Sequence, residues 1–437
     1  MPIWLCCRRY AIAMLLAIAA ALFPISTKGQ TTVIHAGKII DPDDGSVSTN
    51  QVIIVTGGKI TDVGSNPTIP ANARILDLSK ETVLPGLFDA HTHLLATVDP
   101  KWDLGDFWIM TLQRRPGYRA ILGEQHALEM LQSGFTTVRD VGNSGEYLDM
   151  DLEKAIDFGW VPGPTMIPAG RIIAPFGGQF WDTPAEANLL ENPEFYFADS
   201  HDEMRKAVRE NIYWGAKVIK IVVDSKAYVY SADDIRFIVN EAAAAGLKVA
   251  AHVQTERGAH NAIDAGVASI EHGWVLTDED LAQAKNNHVV LVSTDFPEKQ
   301  LIELGMEPSQ AKQKHASYIE RLRRAYLAGV EIVFGTDVMH DLRTQTRGEL
   351  AMDYIDSMAE AGMPPKAILK AMTTDAARLL GVEKERGNIK PGLSADVIAV
   401  PENPLDTIQS LKHVDFVMKN GKIIEPKASN RPHSAPE

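Results

Sequence analysis

Cysteine is almost missing from this chain of 437 residues, which contains only Cys6 and Cys7. Both lie within residues 1–30, a segment that we predict to be a secretory signal peptide. The sequence that remains after its removal has no thiol. This excludes disulfide bonds, cysteine-ligated zinc and a cysteine nucleophile from the mature protein.

The predicted signal peptide rests on the order of its parts. Arg8 and Arg9 precede an apolar run over residues 11–23, and Pro24 with a small polar stretch follows. The apolar run is too short for a membrane span, which needs about 20 residues. We therefore expect an exported protein, periplasmic or secreted, with no membrane attachment after cleavage. An uncleaved N-terminal anchor is the alternative.

Positive charge is also scarce, because 43 Lys and Arg residues stand against 57 Asp and Glu residues and the formal net charge is −14. Phosphate binding relies on clustered Lys and Arg, so this balance argues against a nucleic-acid partner. Two catalytic patterns are missing as well, the Gly-x-Ser-x-Gly elbow and the His-Glu-x-x-His motif. Serine-hydrolase and zincin chemistry are therefore unsupported.

What is present is an alternation of apolar strands and helices between about residues 85 and 380. A closed (β/α)8 barrel needs eight such strands, and about 250 residues are enough for it. Residues 31–84 and 381–427 instead predict short strands joined by hairpin turns. We expect a (β/α)8 TIM-like barrel inserted in a small β-sandwich domain built from both termini, with a flexible tail over 428–437. The predicted barrel strands cover 84–90, 135–140, 165–173, 217–223, 247–252, 267–271, 289–294 and 331–336.

Local signals support parts of this assignment. Ser231 with Asp234, and Thr277 with Asp280, have the spacing of capping boxes and predict two helix starts. The segment 175–200, rich in Gly, Pro and aromatic residues, is too long for a plain connection between a strand and a helix. We interpret it as a lid or a substrate wall at the mouth of the barrel.

Several predicted strands carry or end in a side chain that can bind a metal. His91 and His93 lie two apart on an extended strand and so share one face, although two surface histidines are the alternative. His252 and His272 each close an apolar strand, where a single histidine is more often satisfied by a neighbour. Asp337, at the end of the eighth strand, is placed to ligate a metal and to shuttle a proton to a leaving amine.

Lys220 is the least ordinary of these residues, because the strand around it is apolar on both faces. A buried ammonium is costly and its pKa falls. Two interpretations are open. Lys220 reaches the barrel rim and pairs with a carboxylate, or its neutral amine captures carbon dioxide and the carbamate bridges two cations. Lys217, an odd number of residues away, points to the other face.

Taken together, these segments resemble the amidohydrolase superfamily of metal-dependent hydrolases over roughly residues 31–427. Within it, the sequence is similar to the exported Xaa-Pro dipeptidase-like branch, which includes carboxypeptidases and ochratoxin-hydrolysing amidohydrolases. The matching segments include Leu84-Pro85-Gly86-Leu87-Phe88-Asp89-Ala90-His91-Thr92-His93, Ile219-Lys220-Ile221, Ala251-His252, Ile270-Glu271-His272-Gly273 and Gly335-Thr336-Asp337.

The resemblance implies two divalent metal ions, expected to be zinc, and a carbamate on the bridging lysine formed from carbon dioxide. A bridging hydroxide would attack an amide carbonyl, and the catalytic aspartate would deliver the proton to nitrogen. The implied ligands are His91, His93 and Asp337 for one ion and His252 and His272 for the other, with carbamylated Lys220 between the two.

The residues that would contact the substrate are implied less directly. Tyr230 matches a tyrosine that this branch directs at the tetrahedral intermediate, and Tyr228 is a rival for that role. Arg139 either faces the mouth of the barrel or pairs with Asp140 or Glu271.

Two arginines after the eighth strand, Arg343 and Arg347, accompany the aromatic residues of segment 175–200. Aromatic walls beside a guanidinium suit a substrate with an apolar acyl part and a free C-terminal carboxylate. The alternative is that these arginines are solvated and that the aromatic residues pack in a subunit interface.

We expect an exported binuclear metal-dependent amidohydrolase, forming a homo-oligomer, that cleaves the amide bond of dipeptide-like or N-acyl amino acid substrates. Its partners would be small molecules or short peptides. A mononuclear imidazolonepropionase-like cyclic amide hydrolase is disfavoured by Lys220, because one metal needs no bridge. A lactonase is also open, and so is an inactive amidohydrolase-like structural protein.

Overall fold

The computed structural model describes residues 30–425, except 100–101, 104–106, 143–144, 180–193, 225–227 and 343. Residues 1–29 of the predicted signal peptide and the predicted tail from residue 428 lie outside the described part, as does Arg343. Within that part, none of the helices combines the length and the apolar character that a membrane span requires.

The strands, numbered along the chain, are β1 (Thr32–Ile40), β2 (Val47–Thr56), β3 (Lys59–Gly64), β4 (Arg74–Pro85), β5 (Leu87–Thr92), β6 (Phe135–Asp140), β7 (Thr165–Pro168), β8 (Ile172–Ala174), β9 (Phe195–Phe197), β10 (Ile219–Val222), β11 (Val249–Val253), β12 (Ser269–His272), β13 (Val290–Ser293), β14 (Ile332–Phe334), β15 (Val397–Val400), β16 (Phe416–Lys419) and β17 (Lys422–Ile424).

The helices are α1 (Phe107–Gln113), α2 (Pro116–Gln132), α3 (Leu148–Asp157), α4 (His201–Trp214), α5 (Ala232–Ala243), α6 (Glu256–Ala265), α7 (Asp278–Asn286), α8 (Glu298–Glu303), α9 (Pro308–Ala328), α10 (Arg347–Met352), α11 (Tyr354–Glu360), α12 (Pro365–Ala371) and α13 (Thr374–Leu380). A short 3-10 helix covers Ile408–Lys412.

A small β-domain takes strands from both ends of the described chain. Its hydrogen-bonded order is β17-β16-β15-β4-β1-β2-β3, in which β4 and β15 run antiparallel with Leu84 opposite Ile398. The segment before β15 also contacts the segment before β3, where the Ala395 amide donates to the Gly58 carbonyl at 2.9 Å. Apolar side chains from both ends of the chain therefore share one core.

The remaining parallel strands close into a barrel. Strands β5-β6-β7 form one parallel group, and β10 to β14 form another that is extended by β8 and β9. The Lys217 amide donates to the Pro168 carbonyl at 2.8 Å at one junction, and the Asp337 amide donates to the His91 carbonyl at 2.8 Å at the other. The order β5-β6-β7-β10-β11-β12-β13-β14 confirms the (β/α)8 TIM-like barrel with a β-rich domain built from both termini.

One predicted strand, 165–173, is wrong as a continuous element. The strand β7 stops at Pro168, and Gly170 adopts a φ of 72° before β8 begins. A left-handed residue interrupts an extended backbone, and glycine adopts it without a steric penalty. The second piece then pairs with β10 through Ile173 and Ile221.

Both predicted capping boxes are confirmed. The Ser231 hydroxyl accepts from the Asp234 amide at 3.1 Å, and Thr277 accepts from the Asp280 amide at 3.1 Å. They open α5 and α7, two of the helices that cover the outside of the barrel. Local capping chemistry thus determines where these two helices start.

We predict that Gly86→Ala destabilises the protein, because Gly86 connects the small β-domain to β5 with no room for a side chain. A Cβ at this position would lie 2.7 Å from Thr136 Cβ on β6. Overpacking of this kind costs about 1–3 kcal/mol of unfolding free energy, measurable by chemical denaturation. The control is Gly117→Ala, where nothing lies within 4 Å. Equal stability of the two variants would contradict this account of the junction.

Candidate metal centre

The carboxyl end of the barrel gathers six potential ligands from five strands. His91 lies on β5, and His93 follows that strand directly. The strands β10, β11 and β12 carry Lys220, His252 and His272, and Asp337 follows β14. Parallel barrel strands end on the same face, which explains how residues so distant in sequence come together.

Asp337 contacts three of the imidazoles. Its Oδ1 lies 3.0 Å from His93 Nε2 and 3.6 Å from His91 Nε2, and its Oδ2 lies 3.8 Å from His272 Nδ1. The side chain is 17% exposed, whereas that of His91 is 1% exposed. Asp337 is therefore the carboxylate of this cluster that faces the open mouth.

Lys220 and His252 complete the cluster on its other side. Lys220 Nζ lies 3.5 Å from His91 Nε2, and the rings of His252 and His272 are 4.6 Å apart. Burial lowers the pKa of the Lys220 ammonium from its ordinary value to about 8. A neutral amine is therefore accessible at this position near neutral pH.

The donor set fits divalent metal ions. His91, His272 and Asp337 place ligand atoms within 4.8 Å of one another. Burial lowers the pKa of the His252 imidazole to about 3, so its lone pair is available. Its buried Nε2 has no hydrogen-bond partner among the described residues. Imidazole nitrogens and a carboxylate oxygen are the usual ligands of zinc.

Two of the candidate ligands owe their direction to an unusual backbone. His252 pairs in register with Glu271, so strand alternation alone would turn the next residue, His272, to the opposite face. His272 instead has a φ of 66°, and Asp337 has a φ of 59°. Such values cost of order 1–3 kcal/mol for a residue other than glycine and cluster at functional sites. Alternation could not have predicted these side-chain directions.

Glu271 contacts the candidate ligand His91 through a ring nitrogen and was not predicted as a functional residue. Its Oε2 lies 2.6 Å from His91 Nδ1, and its Oε1 accepts from Arg139 Nη2 at 2.7 Å. The Arg139 side chain is buried, and Nε donates to the Ala90 carbonyl at 2.5 Å. Of the two interpretations of Arg139, the structure therefore supports the partner of Glu271 and not the residue that faces the substrate. The position of Glu271 beside His272 was the available sequence signal.

Asp89 ties the first barrel strand to the last. Its carboxylate accepts from the Thr336 hydroxyl at 2.7 Å, the Thr336 amide at 3.2 Å and the His91 amide at 3.0 Å. Burial raises the pKa of Asp89 to about 7. These bonds hold His91 beside the segment that leads into Asp337. No feature of the sequence distinguished this aspartate from a strand-end turn residue.

The two tyrosines considered for the oxyanion lie differently. Tyr230 is fully buried, and its hydroxyl donates to the Ala198 carbonyl at 2.6 Å. Tyr228 is 51% exposed, with its ring 6.4 Å from that of Tyr230. The Tyr230 hydroxyl thus donates its hydrogen bond to the main chain, and its catalytic role stays a prediction.

The expected arginine clamp is only partly visible. Arg343 lies outside the described residues, and its contact with substrate stays a prediction. Arg347 is buried, and its Nη1 donates to the Val338 carbonyl at 2.5 Å. The suggestion that Arg347 grips a substrate carboxylate is therefore wrong, because the side chain is buried and the loops around it occupy its Nη1 and Nη2 groups.

An aromatic wall does adjoin the cluster, formed by a residue that we did not predict. The Trp274 ring lies 5.0 Å from the His272 ring and 4.9 Å from that of Tyr318. The buried Trp274 Nε1 has no hydrogen-bond partner among the described residues. The Lys314 ammonium lies 5.9 Å from the Trp274 ring. The Trp274 indole thus borders the candidate metal centre, and a cation lies over that indole.

A parallel eight-stranded barrel with such a donor set at its carboxyl end is typical of metal-dependent hydrolases. The family model described as "Amidohydrolase family" matches residues 82–424. The chain belongs to this family, which confirms the resemblance found in the sequence, and it is a hydrolase that acts on amide bonds.

Individual relatives agree with this assignment. Ochratoxinase from Aspergillus niger is 29% identical over 460 residues, which covers 96% of this chain and 92% of that protein. A Xaa-Pro dipeptidase crystallised with methionine bound in its active site is 31% identical, with a TM-score of 0.77 over 91% of this chain and 100% of that chain. A prolidase complexed with N-methylphosphonate-L-proline is 27% identical, with a TM-score of 0.76 over 91% and 100%.

We predict that Glu271→Gln weakens metal binding about 10–100-fold, because partners that orient a ligating histidine contribute on this scale. The amide keeps the size of the side chain and removes the charge that faces His91 Nδ1. Calorimetric titration of the metal-free protein measures the effect. Glu279→Gln, on the exposed side of α7, is the control. Unchanged affinity in Glu271→Gln would remove Glu271 from the metal centre.

Proposed function

We propose that this chain is an exported binuclear amidohydrolase that cleaves the amide bond of dipeptide-like or N-acyl amino acid substrates and releases the C-terminal amino acid. The single observation that carries the proposal is Lys220, buried among the other five ligands with Nζ 3.5 Å from His91 Nε2. A centre for one metal ion needs no such residue. The proposed export rests on the sequence of residues 1–30.

The lysine would contribute as a carbamate. A neutral amine adds to carbon dioxide and releases one proton, which leaves a carbamate with one negative charge. On Lys220 it would supply an anionic ligand shared by two ions, one held by His91, His93 and Asp337 and the other by His252 and His272. Two divalent ions, zinc in this proposal, would supply a nucleophile at neutral pH and a Lewis acid for the substrate carbonyl.

The protein's own side chains would move the proton. Asp337 is 17% exposed and reaches both His93 and His272, so it can accept a proton at the mouth and deliver it to the leaving amine. Glu271 would keep the His91 ring oriented through its 2.6 Å contact with Nδ1. The surrounding burial would exclude bulk water from the other ligands.

The substrate class is suggested by the relatives. One relative holds methionine in its active site, and another binds a phosphonate derivative of proline. Both ligands are amino acids or carry one, and a released amino acid has a free carboxylate. In this chain the Lys314 ammonium near Trp274 could bind that carboxylate, and Arg343 is the second candidate.

We predict that Lys220→Ala loses bound metal and nearly all activity, because both proposed ions lose their shared anionic ligand. Short carboxylic acids added to this variant should restore part of the rate by occupying the gap. Lys217→Ala is the matched control, since Lys217 pairs with Glu153 on the outer side of the same segment. Two bound metals and full activity in Lys220→Ala would contradict the carbamate.

Recognition of the substrate's C-terminal carboxylate is tested by comparing the cleavage rates of free-acid substrates and of their C-terminal amides in wild type, Lys314→Gln and Arg343→Gln. We predict faster cleavage of the free acids. The variant that lacks the true contact should lose about tenfold or more in kcat/KM on free acids alone, since a hydrogen bond to a charged group is worth about 1.5–3 kcal/mol. Equal cleavage of acids and amides by the wild type would exclude carboxylate recognition and favour hydrolysis of a lactone or a cyclic amide.

A further inference from the structure

We infer that Arg347 is a positioning residue that sets the geometry of His93 and Asp337, and through them of one of the two metal sites. The inference rests on the proposed metal centre and adds a residue to its construction. Arg347 is 2% exposed and begins α10, outside the ligand cluster itself.

Two loops at the barrel mouth carry these ligands. The first loop, residues 93–98, follows β5, and the second, residues 338–341, follows β14 and Asp337. They pair with each other, because the Val98 amide donates to the Met339 carbonyl at 2.8 Å and the Asp341 amide donates to the Val98 carbonyl at 3.3 Å. Movement of one loop therefore moves the other.

The Arg347 guanidinium contacts both loops at once. Its Nη1 donates to the Val338 carbonyl at 2.5 Å and to the His93 carbonyl at 3.4 Å. Its Nη2 donates to the Ala96 carbonyl at 3.4 Å and to Asp341 Oδ1 at 3.1 Å. Arg347 Nη1 thus binds the carbonyl of one proposed ligand, His93, and the carbonyl of Val338, which directly follows another proposed ligand, Asp337.

A histidine extends this arrangement. His126 Nε2 lies 3.2 Å from Asp341 Oδ1, and His126 Nδ1 donates to the Leu94 carbonyl at 2.7 Å. The first loop is therefore held by Arg347 and by His126, and Asp341 joins the two. None of the described contacts of Arg347 reaches Lys220 or His252.

A guanidinium suits this position because its donors are planar, fixed in direction and always charged. Several carbonyl oxygens converge on it, and removing it leaves buried acceptors unpaired. The His93 and Val338 carbonyls would then be free to shift, and the 3.0 Å approach of His93 Nε2 to Asp337 Oδ1 would be lost. The His252 and His272 side of the centre would keep its geometry.

The test compares Arg347→Met and Arg347→Lys with the wild type by calorimetric zinc titration of the metal-free protein. Hydrogen exchange of the two loops, which does not depend on metal, is the second readout. In Arg347→Met we expect one zinc site to weaken about 10–100-fold while the other is retained, the usual scale for a residue that orients a ligand. Exchange should accelerate over 93–98 and 338–341. Arg347→Lys should recover part of both effects, and added guanidinium should do so in Arg347→Met.

Arg386→Met is the matched control, because Arg386 is a buried arginine whose Nη1 donates to Asp396 at 2.6 Å and to Thr165 at 2.7 Å, away from both loops. It should lower stability without selective loss of one zinc site. Unchanged zinc binding and loop exchange in Arg347→Met, or the same losses in Arg386→Met, would overturn the inference. A wild type that binds one ion would contradict the binuclear proposal, and Arg347 would then be judged by the affinity of that ion and by loop exchange.

Discussion

The structure depends on the burial of several lone-pair donors at one end of the barrel. The His272 ring contacts the rings of both His91 and His252, and Asp337 contacts His91 and His272. Such groups gain little from each other when they are neutral, and burial without partners is costly. A cation placed between them would offset this cost. The left-handed backbone of His272 and Asp337 is then explained as strain retained for ligand direction.

A second layer of polar residues holds the ligands in place. Glu271 orients His91, Asp89 joins the first barrel strand to the last, and Arg347 connects the two loops that follow those strands. These residues touch the main chain or a ligand, and none was selected from the sequence as part of the centre. Hydrogen-bonded polar side chains thus hold this site together, as apolar packing holds the rest of the barrel.

The sequence singled out the candidate ligands that the structure brings together but not the residues that support them, for a physical reason. A strand-end histidine, or a lysine such as Lys220 in an apolar strand, is conspicuous because its surroundings make it costly. The roles of Arg139 and Arg347 were not determined by the sequence, since they depend on the carboxylate and carbonyl groups brought near by closure of the barrel. The break at Gly170 was missed because Ile167 and Ile172 on either side favour strand, although Pro168 and Gly170 themselves favour an interruption.

The most direct test of the account is the amount of zinc bound per chain when metal-free protein is reconstituted with and without bicarbonate, measured by elemental analysis after removal of free metal. If Lys220 carries a carbamate between two ions, binding should approach two ions per chain with bicarbonate and fall well below that when carbon dioxide is excluded. Binding of one ion or none, or two ions regardless of bicarbonate, would contradict the carbamate-bridged centre.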